Sequence, residues 1–384
     1  MVIKMKIYKN ANVVFPDKIR NAIVVTDGKK IVDICTHFDA TENDTVVDCN
    51  GLYLSPGFID IHVHGGGNKS AMSSNPHDIV HMAEAHLKYG TTSIVPTTLT
   101  SPLPRLKDAV TSIKKASEIS ENANILGVHL EGPYISVKYK GAQSEQDILT
   151  PDKNPPEELL DQWDKILIMG AAPECDGVLG LGDVLKNRGI VASVAHSAAS
   201  YEQVEDAVKH GFSDVTHLYN ACSSCFKTGL FRNAGVVEAA LYMDELTTQV
   251  IGDLRHLPQG LLKLIYKCKG DEKMYLITDG LEFSASDIKE NTVYTQENGI
   301  EVIYEDNVMK LADRSALAGS AATLSDCVRN MYKKIGVPLY SAVKMASLTP
   351  ATVVGYGNRK GKIAKGYDAD LILFDDEIKN IRVL

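Results

Sequence analysis

Pro56-Gly57-Phe58-Ile59-Asp60-Ile61-His62-Val63-His64 reads as a β-strand that ends in two histidines able to share one ion. The alternation places Ile59, Ile61 and Val63 on one face and Asp60, His62 and His64 on the other, because successive strand side chains point to opposite sides. In a helix, residues two apart diverge, so the two imidazoles converge only if the segment is extended, and the β-branched residues between them favour that state. Gly65-Gly66-Gly67 then lets the backbone turn away. A lone His-x-His at a strand end fits two ordinary hydrogen-bonded histidines equally well, so the rest of the chain decides.

With 384 residues, 44% of them hydrophobic, the chain can bury one large core or two to three smaller ones. No apolar run approaches the ~20 residues that a membrane span requires. The opening Met1-Val2-Ile3-Lys4-Met5-Lys6 lacks the apolar stretch of a signal peptide, so a cytoplasmic protein is expected. A net charge of −9 argues against a nucleic-acid partner but leaves room for an anionic small molecule, since a few local cations suffice for one phosphate. Seven cysteines, an odd number scattered along the chain, read as reduced thiols, and Cys222-Ser223-Ser224-Cys225 has neither the second pair of a zinc ribbon nor a thioredoxin-like setting.

The first 55 residues carry only short β-runs, Val2 to Tyr8, Asn12 to Phe15, Ala22 to Thr26, Lys30 to Cys35 and Thr45 to Asp48, with Asp27-Gly28 as a hairpin signal. They are too few to close a core alone, and Asp370-Leu371-Ile372-Leu373-Phe374 is the expected partner, so that 1–55 and 352–384 make one small β-sandwich domain. From 56 to 351 the texture is β-runs alternating with helical patterns, with strands expected at Gly57–His62, Thr92–Thr97, Ile125–Glu131, Ile166–Ala172, Ile190–His196, Asp214–His217, Thr248–Gly252 and Tyr275–Asp279. Eight such units fit a (β/α)8 TIM barrel, although periodicity alone also allows a doubly wound open sheet. Ser200-Tyr201-Glu202-Gln203 is a capping-box helix start, and Gly211 supplies a stop. Asn298-Gly299 marks a hairpin in an inserted β-meander; helices are expected at Ala321–Ile335 and Tyr340–Leu348, the second ended by Thr349-Pro350.

In a barrel, side chains at the C-terminal strand ends meet in one place. There the chain offers His62, His64, Glu131, His196, His217 and Asp279: four imidazoles and two carboxylates. Neutral histidines with carboxylate oxygens suit zinc or iron(II), with enough ligands for two ions or for one with an open position. Taken singly, His196 or His217 fits a structural histidine and Glu131 a helix cap; taken together they do not. His129 reads as a group beside the ligands rather than one of them. His77, His81 and His86 in a polar-faced helix, with His37 and His210 near turns, are expected to be solvated.

The Pro56–His64 stretch, His129-Leu130-Glu131-Gly132-Pro133, Lys140-Gly141-Ala142-Gln143, His217-Leu218-Tyr219-Asn220-Ala221 and Leu317-Ala318-Gly319-Ser320 together resemble the N-acetylglucosamine-6-phosphate deacetylases of the amidohydrolase superfamily. The tail Gly361-Lys362-Ile363-Ala364-Lys365-Gly366-Tyr367-Asp368-Ala369-Asp370-Leu371 resembles the closing stretch of that superfamily's small β-sandwich. The resemblance implies that Glu131, His196 and His217 hold a principal divalent metal, zinc before iron, that His62 and His64 can hold a second, and that Asp279 is the catalytic aspartate. It implies further that Ala142, Gln143, Asn220, Ala221, Leu317, Ala318 and Gly319 line a sugar-phosphate pocket, that Arg232 is the phosphate ligand, and that His256 reaches the neighbouring site of a homodimer. Against many relatives, Leu254 replaces a glycine, Gln143 replaces a histidine of some, and Ser223–Phe231 is longer than usual.

The reaction the resemblance implies is loss of the acetyl group from N-acetylglucosamine 6-phosphate, giving glucosamine 6-phosphate and acetate. The galactosamine epimer is the alternative substrate. Cyclic-amide hydrolysis fits less well, because a glutamate stands where those enzymes use a carboxylated lysine. Deamination of a nucleobase leaves the Gly141-Ala142 and Asn220-Ala221 resemblance unexplained. A catalytically silent barrel used as a scaffold would be expected to have lost ligands, and none is missing.

Overall fold

A computed structural model describes residues 4–384; the expected strand start at Val2 lies outside the described residues. Eight parallel strands form the barrel: β1 (Phe58–Val63), β2 (Thr91–Thr98), β3 (Val128–Glu131), β4 (Ile166–Ala171), β5 (Val191–Val194), β6 (Phe212–Val215), β7 (Thr247–Ile251) and β8 (Met274–Ile277). They pair in chain order, and the ring closes where Val63 bridges Gly280 and the Asp279 N–H donates to the His62 carbonyl at 2.9 Å. Each crossover returns through helical structure or a loop on the outer face, as parallel pairing requires. The helix Tyr201–Lys209 starts at the Ser200 capping box and buries Val204 and Ala207.

Two apolar layers hold the ring. Ile59, Ile61, Val95, Ile168, Ile251, Tyr275 and Ile277 fill the lumen, and Ala351 and Val354 floor it. Phe58, Val63, Ile94, Leu130, Met169 and Val250 belong to the larger layer beneath the helices. The strict alternation expected of β1 therefore breaks: Ile59 and Ile61 face inward, Val63 outward. The cause is a register shift against β2 between Asp60 and Val63, and such an irregularity re-aims side chains, here turning both His62 and His64 into the mouth of the barrel.

The chain ends build a seven-stranded sheet. Lys6–Val14 is one continuous strand rather than two; it pairs antiparallel with Ile19–Thr26 and parallel with Thr45–Asp48 and Tyr53–Pro56. Leu371–Phe374 joins Tyr53–Pro56 antiparallel, and a bridge from Lys30 to Asp368 curls the far edge back over Tyr8, Val13, Val24, Leu54 and Leu373. The insertion after β8 is a four-stranded antiparallel meander that turns at Asn298-Gly299, as expected.

Other expectations change. The α-helix Leu324–Asn330 continues into a π-turn at Met331–Ile335, and Leu339–Met345 is followed by a further helix, Leu348–Val353. Pro350 thus sits in a first helical turn, where its missing N–H has no partner to lose, instead of ending the helix before it. All seven cysteines are free, and no helix among the described residues is long and apolar enough to cross a membrane.

Candidate metal centre and substrate cleft

His62 is the penultimate residue of β1 with His64 just beyond its end, and Glu131 is the last residue of β3. His196, His217 and Asp279, expected inside strands, lie just past β5, β6 and β8, with φ of +46°, +28° and +50°. Non-glycine residues in that region cost roughly 1–3 kcal/mol each and persist where surrounding structure imposes them. Part of that support is visible after His196, where the Glu174 carboxylate accepts from Ser197 Oγ at 2.7 Å and from the Ala198 N–H.

Glu131 is the hub. Its Oε1 lies 2.9 Å from His217 Nε2, 3.1 Å from His196 Nε2 and 3.4 Å from His62 Nε2. Its Oε2 is 3.3 Å from His64 Nε2 and accepts from Gln143 Nε2 at 2.7 Å. Asp279 Oδ1 stands 3.1 Å from His64 Nε2 and 3.5 Å from His62 Nε2. Two triads of potential ligands result, His62/His64/Glu131 and Glu131/His196/His217, sharing the one carboxylate, each with its ligand atoms within 4.8 Å.

The far side of each imidazole decides what the near side can offer. Nδ1 of His64, His196 and His217 faces the carbonyl oxygens of Thr97, Tyr139 and Asn220 at 3.1, 2.9 and 3.1 Å, and His62 Nδ1 faces Gln249 Oε1 at 2.6 Å. Acceptors at all four positions require Nδ1–H, which leaves four Nε2 lone pairs aimed inward at two carboxylates. His196 and His217 approach Nε2 to Nε2 at 3.2 Å, and His62 and His64 at 3.3 Å. Such approaches need positive charge between the nitrogens, either shared protons or a cation, and this set of imidazole nitrogens and carboxylate oxygens, with outer partners that orient each one, fits a divalent cation.

Electrostatics agree. Burial works to raise the Asp279 carboxyl, but the charge of His62 and the hydrogen bond from His64 hold it at about 2. Burial would likewise raise Glu131, yet His62 and His196 hold it well below the usual carboxylate range. Burial would lower His64, but its bonds to Asp279 and Glu131 carry it up to about 10. The centre stabilises cations.

Above it opens a cleft of about 830 Å³. Ala142, Gln143, Asn220, Ala221, Leu317, Ala318, Gly319 and His256 all line it, beside His64, Glu131, His196, His217 and Asp279. His256 lines the cleft of its own chain: the loop after β7 turns at Leu254, whose φ is +63°, and Asp253 Oδ2 accepts from His256 Nδ1 at 2.7 Å. The leucine thus adopts the conformation a glycine would take there. Arg232 does not line the cleft. It stands on an exposed hairpin, Phe226–Thr228 with Phe231–Asn233, its Nη1 3.9 Å from Cys225 Sγ.

His77 and His81 are exposed as expected, but His86 is fully buried, its Nε2 2.9 Å from the Gly65 carbonyl. A Cβ on Gly66 would collide with that ring, so the glycine is required by close approach. His129 packs edge-on to His62, with ring centroids 4.6 Å apart, and its Nδ1 faces the Ile61 carbonyl. Gln249 and Asp214 belong to no motif in the sequence. Their signal is polarity at alternate, inward positions of otherwise apolar strands.

Residues 53–383 match the amidohydrolase family. The N-acetylglucosamine-6-phosphate deacetylase of Lysinibacillus sphaericus is 31% identical over 92% of this chain and 88% of its own length. The crystal structure of the enzyme of that name from Pasteurella multocida superposes with a TM-score of 0.89 at 32% identity, covering 99% of this chain and 97% of that one. An aspartate-to-alanine mutant of the Mycobacterium smegmatis enzyme, solved in complex with N-acetyl-D-glucosamine-6-phosphate, gives 0.87 at 25% identity, with 98% and 96% covered. By sequence, by fold and by the ligand set at its strand ends, the chain belongs to the amidohydrolase family, among the N-acetylglucosamine-6-phosphate deacetylases.

Proposed function

We propose that the chain hydrolyses the acetamide of N-acetylglucosamine 6-phosphate: water adds at the acyl carbon, the C–N bond breaks, and acetate and glucosamine 6-phosphate leave. The observation that carries this reading is the single carboxylate of Glu131 shared by two histidine pairs whose free nitrogens all point at it. Glu131, His196 and His217 would hold one ion and His62 and His64, with Glu131, a second; nitrogen and oxygen donors of this kind suit zinc, and iron(II) after it. When bound, such an ion activates water near neutral pH and polarises an acyl oxygen. Asp279, a carboxylate at neutral pH on the cleft wall, takes the water's proton and returns it to the departing nitrogen, which leaves poorly as an anion. Gln143 keeps Glu131 oriented.

For the phosphate, the chain's own cleft offers His256, whose pKa Asp253 carries upward against burial, beside Arg105 and Lys138, which also line it. Arg232 serves the same group in a neighbouring subunit. This is supported by its hairpin, which presents Leu230 and Phe231 at 92% and 78% exposure, too apolar a tip to be left in water. A homodimer working in the cytoplasm, where seven unpaired thiols stay reduced, fits both features.

The test is acetate release from the 6-phosphates of N-acetylglucosamine and N-acetylgalactosamine, with metal-stripped and zinc-restored protein. Release that depends on zinc and prefers the glucosamine substrate is expected. No release from either with zinc present would end the proposal.

A further inference from the structure

Beneath the candidate metal centre lies a buried polar chain that the reaction above does not use. Asp214 on β6 is fully buried, and its Oδ1 accepts from Thr247 Oγ1 at 2.6 Å and Tyr275 OH at 3.0 Å. Its Oδ2 accepts from Ser193 Oγ at 2.8 Å and from Gln249 Nε2 at 2.9 Å. Gln249, also fully buried, presents its other amide atom, Oε1, to His62 Nδ1 at 2.6 Å. An amide and an imidazole can each be written two ways, and the carboxylate removes the choice. Turning the Gln249 amide over would put Oε1 against the Asp214 carboxylate and its NH2 against His62 Nδ1. His62 would then carry its proton on Nε2, aimed at Glu131 and Asp279, as a donor in place of a ligand.

We propose that Gln249, oriented by Asp214, is a positioning residue that holds His62 as its Nδ1–H tautomer and so decides whether the His62/His64 side of the centre can take an ion. The proposal rests on the metal reading given above. It concerns one half of the centre only: His196 and His217 are oriented by the backbone carbonyls of Tyr139 and Asn220, which cannot turn over, whereas His62 depends on a side chain that can.

The test uses the full-length protein loaded with zinc. Gln249→Met removes the acceptor at similar volume, Asp214→Asn removes the group that fixes the amide, and the exchanged pair Asp214→Asn with Gln249→Glu restores an acceptor toward His62 and a donor toward it from position 214. Zinc bound per subunit is measured at buffered free zinc, and the His62 tautomer is read from ¹⁵N imidazole shifts in histidine-labelled protein. The first two variants are expected to weaken the His62/His64 side by about 10- to 100-fold, the usual effect of losing a ligand's outer partner. One ion should remain at Glu131, His196 and His217, His62 should shift toward Nε2–H, and the exchanged pair should recover both properties. An unchanged tautomer and zinc affinity in Gln249→Met, parallel loss of both ions, or no recovery in the exchanged pair would overturn the proposal. Should Gln249→Met not fold, Asp214→Asn and the exchanged pair decide it on the same readings. Wild-type protein that binds no zinc would instead overturn the metal reading, and the imidazole shifts would still report whether Gln249 sets the tautomer.

Discussion

Asp279 leaves β8 with φ +50° and brings Oδ1 within 3.1 Å of His64 Nε2, close enough to the centre to exchange protons with a water there. Replacing it with asparagine keeps the shape and removes the proton acceptor. Asp279→Asn is therefore expected to lower kcat by about 10²- to 10⁴-fold with KM little changed, read by steady-state acetate release. Zinc at Glu131, His196 and His217 should persist, which separates this loss from a collapse of the site. His256 gives a different signature. Burial works to lower its pKa, and Asp253 outweighs burial and raises it, so the imidazolium survives above the ~6.5 of a free histidine. A cation facing a phosphate binds it only while protonated. KM for the 6-phosphate should thus be low below the raised pKa and climb as pH rises through it, and His256→Asn should start high and stay flat. A wild-type KM independent of pH between about 6 and 9 would remove His256 from phosphate binding.

The hairpin Phe226–Asn233 carries its own prediction, because Arg232 on it does not line the cleft of its own chain while Leu230 and Phe231 stand in solvent. Leu230→Ser with Phe231→Ser is expected to shift sedimentation toward monomer and raise KM. Arg232→Ala is expected to raise KM about as much while leaving the dimer intact; full activity in a monomer would refute the arrangement. How much of this was legible differs by element. The barrel could be read from eight apolar β-runs separated by helical patterns, and the site from histidines and carboxylates at their C-terminal ends. The strand limits could not: β5, β6 and β8 stop before His196, His217 and Asp279, because those residues take left-handed backbone that no propensity favours. His86 looked solvated since its helix neighbours are polar, yet the glycine turn at Gly65-Gly66 folds over it and buries it. Gln249 and Asp214 were missed for a deeper reason, that polar side chains inside a lumen are paired by the closure of the ring and not by spacing along the chain. Gly66→Val should show how tightly that turn is held: its side chain would meet the His86 ring, and a loss of roughly 1–3 kcal/mol is expected in chemical denaturation.

At the scale of the whole molecule, one carboxylate ties the terminal sheet together. Asp368 receives Lys30 Nζ at 2.6 Å from the N-terminal half, Arg359 Nη2 at 2.8 Å and the almost fully buried Lys360 at 3.1 Å. Lys360 also pairs with Asp370, whose carbonyl accepts the Gly57 N–H at 2.7 Å at the entrance to β1. Through this chain, the strand that bears His62 and His64 is anchored to the same ion cluster that joins the two ends of the polypeptide. Burial works to raise the Asp368 carboxyl, but the hydrogen bonds from Lys30, Arg359 and Lys360 outweigh it and bring it from 3.8 to about 2. A carboxyl depressed in the folded state stabilises the fold above its unfolded pKa, and that contribution is lost as pH falls through the folded value. The full shift corresponds to about 2 kcal/mol, and screening around the partly exposed Lys30 and Arg359 trims it to roughly 1–2. Asp368→Asn should cost that much in urea unfolding at pH 7 and steadily less between about pH 4 and pH 2, where wild type and variant converge. A constant difference across that window would mean that packing, not charge, holds the terminal sheet to the barrel.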